Sequence, residues 1–325
     1  MKILSALVTV LLGIGAALAL YWVLNKLAEL LPSKWEERIK PYFYILPAFA
    51  AVVLYLVYPA IQTIIASFQD STSSAFVGLD NYRRLLSSQP FQQTLINTVL
   101  WIVLVPAITV ILGLAIATLA DRLKPGAEKV AKTVIFMPMA ISMVGAATIW
   151  RFVYDSEPKG QTQIGILNAI ATKLGSDPVA WLQQSNFHLN SLLLMVILLW
   201  AQVGFSMVLL SAAIKGVPVD TLEAARIDGA NERQIFFQVV VPQILGTIIT
   251  VFITVTIAVM KIFDIVYVTT NGNFNTNVVG NEFFNQLLTN FNNGAAAAIV
   301  VLLMLAVVPI MIYQVRHFRA EEANA

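Results

Sequence analysis

The chain reads as an all-α, polytopic membrane helix bundle. Three observations predict it. Hydrophobic residues make up 58% of the 325 and charged residues only 12%. The mean hydropathy is +0.77. Uncharged runs long enough to cross a bilayer recur along the chain. A soluble domain carries about 45–50% apolar and about 25% charged residues. A water-exposed globule therefore needs more charge than this chain has, and a disordered one is more polar still. A net charge of +2 supplies no nucleic-acid surface. With no cysteine there is no disulfide, thiolate metal site or Cys nucleophile. The two histidines, His188 and His317, are far apart in sequence, which argues against a histidine zinc site.

A hydrocarbon core about 30 Å thick takes about 20 helical residues. Ile3–Asn25 gives the first span and Pro41–Gln69 the second. Leu85–Ala120 gives the third and Thr133–Trp150 the fourth. The fifth lies in Pro178–Ile214, densely apolar from Leu189. The sixth lies in Gln234–Met260, apolar from Ile244, and the seventh in Phe283–Val315, apolar from Ala295. That makes about seven transmembrane helices; the short alternating segments of a β-barrel are absent. Segments 26–40, 121–132, 215–233 and 316–325 hold 13 basic residues, among them Lys34, Lys132, Lys215 and Arg319. The opposite set holds 6, from Lys2 to Lys173. The positive-inside rule then places the N-terminus outside and the C-terminus inside. An alternative for the first run is a signal peptide ending near Ala17-Leu18-Ala19. Cleavage there would leave the basic segment 26–40 outside, against the charge bias.

Between the spans, 70–92 and 155–188 are longer than turns on the outer side. Pro158, Gly160, Gly165, Gly175 and Pro178 break the second into short helices. A third outer segment, 268–294, is rich in Asn, Thr and Gly. No Gly-x4-Gly-Lys-Ser/Thr phosphate loop occurs, so the chain does not hydrolyse ATP in that way by itself.

The inner segment 215–243 carries the most information. Pro218 precedes a short helix that Asp220 can cap, with Glu223 three residues on. Gly229 ends that helix, because glycine accepts a left-handed cap. Asn231 and Gln234 form a second cap-like pair. Pro242 marks the approach to the sixth span. The expected object is helix, sharp turn, helix. Small side chains at Ala224, Ala225 and Ala230 permit close approach, and Glu223 and Asp228 offer charge to a basic pocket. An ordinary connecting loop accounts for Glu223 alone, but not for Glu-Ala-Ala, Asp-Gly-Ala and a proline at these spacings.

This pattern resembles the EAA loop of ABC-importer permeases, in which the loop docks a coupling helix into a cleft of the ATPase. Phe76-Val77-Gly78-Leu79-Asp80-Asn81-Tyr82, Asn97-Thr98, Phe136-Met137-Pro138, Gly204-Phe205-Ser206 and Phe263-Asp264 extend the resemblance over residues 41–320. The chain is similar to the first permease subunit of the maltose, α-glucoside and glycerol-phosphate group. Asn271-Gly272-Asn273-Phe274 replaces the Gly-Gly-Pro common there, and is more like α-glucoside and glucosylglycerol permeases. The resemblance implies an N-terminal helix and linker over 1–40 and a six-helix MetI-like permease domain over 41–320, with 215–243 as the coupling loop. It implies a second permease subunit as heterodimer partner, an ATPase dimer holding ATP and Mg, and an extracytoplasmic substrate-binding protein. It also implies a bacterial inner-membrane location and alternating access driven by the partner ATPase, with no cofactor in this chain.

For a solute path, polar and aromatic groups at membrane depth are the candidates. These are Asn97 on the third span, Trp200, Gln202 and Ser206 on the fifth, and Lys261, Asp264 and Tyr267 at the end of the sixth. Lys261 and Asp264 are three apart, on one helical face, and can pair, either as pore lining or as a structural pair. No residues form a catalytic constellation. A self-sufficient secondary transporter is the main rival, but its paired broken helices in two related halves are not evident. A light-driven pump wants a lysine in the last span, which has none.

Overall fold

The computed structural model describes the backbone of residues 2–30 and 32–324, and side chains at 5, 6, 8–30, 32 and 37–316. Lys2, Lys34, His317 and Arg319 lie outside the described side chains. The chain divides into two compact units, Met1–Ile65 and Ala66–Ala325. The division falls inside the second span and not in the linker near residue 40.

In the first unit, α1 (Lys2–Glu29) is followed by α2 (Ser33–Val52). A π-turn over Val53–Val57 leads into α3 (Tyr58–Ala66). The Tyr44 hydroxyl donates to Asn25 Oδ1 at 3.2 Å, and the rings of Tyr21 and Tyr44 stack at 6.1 Å. Helix satisfies every backbone group internally, as a lipid medium requires. Leu11, Trp22 and Phe49 are exposed on these helices.

The second unit opens with a tied loop. Asp70 accepts the backbone N–H of Ser74 at 2.8 Å and its hydroxyl at 2.9 Å. These bonds, with those from the Ala75 N–H and the Thr72 hydroxyl, hold its carboxyl down to about 2. Asn81 Nδ2 donates to Ser67 O and Gln69 O at 2.9 and 2.7 Å, and the Tyr82 hydroxyl to Ser67 Oγ at 2.7 Å. The motif of residues 76–82 is thus a fastening. Helix α4 (Asp80–Ser87) leads to α5 (Gln89–Ala120), then α6 (Pro125–Phe136) and α7 (Met143–Val153). After α8 (Ile166–Lys173) comes α9 (Leu189–Lys215). The short helices α10 (Val219–Ile227), α11 (Glu232–Gln234) and α12 (Val241–Gln243) precede α13 (Leu245–Met260). Next are α14 (Asp264–Thr269), α15 (Val279–Phe284) and α16 (Asn293–Asn324).

Among the described residues, five stretches are long and apolar enough to cross a membrane: Val8–Glu29, Glu37–Ala66, Gln89–Ala120, Asn186–Lys215 and Asn293–Arg316. Seven are reached when two bent pairs each count as one span. The fourth apolar run, 133–150, is not one continuous helix. Instead, Pro125–Ala140 and Met143–Val153 meet at 103°. Pro138 has no N–H to continue the ladder, and the Ser142 hydroxyl accepts the Gly145 N–H at 3.1 Å to start a new helix. The sixth span bends by 68° where Ile244 leaves helical geometry (φ −96°, ψ 9°).

Helices α5 and α9 form the centre. They run side by side in one direction, since Asn97 and Asn190 hold one loop at one end while Ser211 reaches Asp121 at the other. Trp101, Leu194, Ile197 and Met207 are buried between them and Val251 and Val255 of α13. Small residues permit the approach. A Cβ on Gly113 would lie 2.2 Å from Ser206 Oγ, and one on Gly204 would lie 2.4 Å from Ile135 O and 2.7 Å from Phe136 Cα.

Candidate functional site

The 215–243 segment is a helix, turn, helix as its sequence predicts, with one difference. Asp220 makes no cap; Pro218, in extended geometry (φ −57°, ψ 132°), takes the cap position two residues earlier and α10 begins at Val219. Its end is a Schellman motif. The Ala230 N–H donates to Ala225 O at 3.0 Å and the Gly229 N–H to Arg226 O at 3.1 Å, with Gly229 at φ +85°. Asn231 and Gln234 form a full capping box. Arg226 and Glu232 pair across the turn at 3.1 Å.

The alanines divide by face. Ala225 and Ala230 pack with Leu222 onto the buried cluster of Val217, Ile235, Val240 and Ile244. Glu223, Ala224, Asp228 and Gly229 are exposed. Pro242 is exposed at the start of the bent sixth span. Beside the loop, α5, α6 and α9 are joined by charge. Lys132 bonds Asp121 and Glu128, each at 2.6 Å, and the Ser211 hydroxyl donates to Asp121 at 2.8 Å. Lys215, the last residue of α9, pairs with Glu128. The segment thus presents a small, acidic edge on a platform tied to three helices.

The polar residues proposed for a path do not form one lining. Asn97 is fully buried, and its Nδ2 donates to Asn275 O at 2.6 Å and Asn277 O at 3.0 Å. It clamps the loop after α14. Ser206 is fully buried against Gly113. Trp200 packs edge-on to Trp150 at 5.9 Å, with Gln202 half-buried two residues on. Lys261 and Asp264 do not share a helical face, because α13 ends at Met260 and α14 starts at Asp264. Among the described residues no ion pair joins them. Lys261 and Tyr267 are exposed, and Asp264 is half-buried.

Sequence reasoning missed two buried asparagines. Asn190 Nδ2 donates to Phe274 O at 2.7 Å. Asn168 donates to Asp155 O and Val179 O, both at 2.9 Å, and accepts from Val179 N and Trp181 Nε1 at 2.9 and 3.1 Å. The Phe274 carbonyl lies 84 residues from Asn190 and the partners of Asn168 lie 11 to 13 residues away, so no local pattern could mark these contacts. Among the described residues no three His, Cys, Asp or Glu side chains converge to hold a metal.

Comparison with known proteins accords with this geometry. Residues 109–320 match the family described as binding-protein-dependent transport system inner membrane component. The α-glucoside transport system permease protein AglF of Rhizobium meliloti is 43% identical, over 99% of each chain. The osmoprotective compounds uptake permease protein GgtC of Synechocystis is 45% identical, over 86% of this chain and 99% of that one. A chain from the crystal structure of a bacterial alginate ABC transporter shares the fold, with TM-score 0.73 at 20% identity, over 86% of this chain and 94% of that one. The chain therefore belongs to the inner-membrane components of binding-protein-dependent transport systems, as a multi-pass ABC permease subunit.

Proposed function

We propose that this chain is one of two permease subunits in an ATP-driven importer of a small neutral glycoside, an α-glucoside or a glucosylglycerol-like polyol. Residues 1–40 supply an extra helix and linker, and 41–320 the permease domain. The observation that carries the reading is the exposed edge Glu223–Gly229, backed by the cluster around Ile235 and the Lys132–Asp121–Glu128–Lys215 network. A rigid, small-residue edge held to three helices suits transmission of a partner's movement. On this reading 215–243 is cytoplasmic, an ATPase dimer supplies ATP and Mg, and its closure pulls the loop. A binding protein delivers solute to the outer loops, and a second permease completes the cavity. The names of AglF and GgtC support the solute class. The test is uptake by the complete importer with competing sugars and polyols. Competition by maltose, trehalose or glucosylglycerol, and none by glycerol 3-phosphate, is the expected result. Competition by the phosphate ester alone would reject this solute class.

A further inference from the structure

At the end of the bent fourth span lies a cavity of about 290 Å³, set between the end of α7, the 180–183 turn and the loop after α14. Its walls are fixed before any ligand arrives. Asn168 holds the Asp155 carbonyl and the Trp181 indole together. A Cβ on Gly165 would lie 2.1 Å from Asp155 O, so α8 lies directly against this wall. Phe274 sits at φ +57°, a conformation that costs an L-residue about 1–2 kcal/mol, and Asn190 secures its carbonyl. Strain held by a buried partner is often tied to function.

The groups left over decide the ligand. Among the described residues neither carboxylate oxygen of Asp155 nor the amide of Gln183 has a hydrogen-bond partner. Arg151 donates to Val268 O at 3.3 Å, which leaves further guanidinium N–H groups. Asn273 donates to Thr270 O at 2.8 Å, which leaves its Oδ1 as an acceptor. The cavity therefore offers donors and acceptors together. Arg151 and Asp155 make no ion pair, and their opposite charges favour a neutral solute over a phosphate or an amine. Trp181 and Phe274 add aromatic surface for the C–H face of a ring. The volume is just below the about 300–1,000 Å³ of drug-sized ligand sites, which suits one ring and not an oligosaccharide.

We propose that this cavity is an outer subsite for one pyranose ring of a neutral sugar, bound between the docking protein and the helix bundle. The proposal rests on the importer reading for its place outside the membrane, but its test does not need transport. The assembled complex, without binding protein, is placed in nanodiscs with methyl α-D-glucoside, and saturation-transfer NMR reads the sugar protons. Transfer is expected from the wild type and not to glycerol 3-phosphate. In Asp155→Asn combined with Gln183→Ala, binding should weaken about tenfold or more, with the complex eluting normally on size exclusion. A separate Gln183→Cys complex, reconstituted in sealed proteoliposomes, should react with an impermeant maleimide added outside, and methyl α-D-glucoside should slow that reaction. No transfer in the wild type, or equal transfer in the double variant, overturns the subsite. Normal transfer with no ATP-dependent uptake would instead reject the importer reading and leave the subsite standing.

Discussion

Substitutions at Gly229 separate a turn from a docking surface. The residue sits at φ +85°, and no heavy atom lies within 4 Å of where its Cβ would be. Gly229→Ala therefore meets no steric barrier within the chain. Its cost is conformational, about 1–2 kcal/mol for an L-residue in the left-handed region. That shifts the closed-to-open ratio of the turn about 5–30-fold. Asparagine tolerates this region, so Gly229→Asn should keep the turn while adding a side chain in open space. Gly229→Asp adds charge as well. If this edge abuts the ATPase, both should lose ATPase association and ATP-dependent uptake, while the amount and thermal unfolding of the permease stay normal. Co-purification with the ATPase, uptake and unfolding of the same preparations make the assay. Normal association and uptake in both Gly229→Asn and Gly229→Asp would refute the coupling role.

Asn97→Leu should leave the carbonyls of Asn275 and Asn277 without their donor and destabilise the permease by about 1–3 kcal/mol; thermal unfolding in detergent checks it, and unchanged stability would restore Asn97 to a solute contact. Gly204→Ala places a Cβ against the Ile135 and Phe136 backbone, where overpacking costs about 1–3 kcal/mol; the yield of folded protein should fall. Lys261→Met and Asp264→Leu should act additively on folded amount, since a helix break separates them and unpaired sites add; rescue by the double change would show a pair. The depressed carboxyl of Asp70 fastens its loop above the ordinary aspartate range, and the fastening should be lost as pH falls toward about 2. Proteolysis within 70–76 should therefore rise between about pH 4 and 2, and Asp70→Asn should raise it already at pH 7.

Local chemistry was legible where local chemistry decides. The Asn231–Gln234 capping box and the left-handed Gly229 follow from residues within a few positions of each other. Hydropathy marked the five long apolar helices and both bent pairs, because solvation by lipid depends on composition. It did not mark the bends, since Pro138, Ser142 and Ile244 interrupt backbone geometry without interrupting apolar character. The spacing of Lys261 and Asp264 misled for the same reason: three residues share a face only if the helix runs on. Asn97 read as a free polar group at membrane depth, and its two carbonyl partners stand 178 and 180 residues away. Capping at Asp220 failed because Pro218 takes the cap position two residues earlier.

The central claim is that an exposed loop on this chain receives work from a separate ATPase. It is tested most directly in proteoliposomes with a radiolabelled α-glucoside, such as maltose, and the binding protein both supplied outside. One set holds this chain alone, a second adds the other permease, and a third adds the ATPase with ATP and Mg enclosed. Uptake should appear only in the third set and cease when ATP is omitted. Robust uptake by the chain alone, without ATP, would contradict the account.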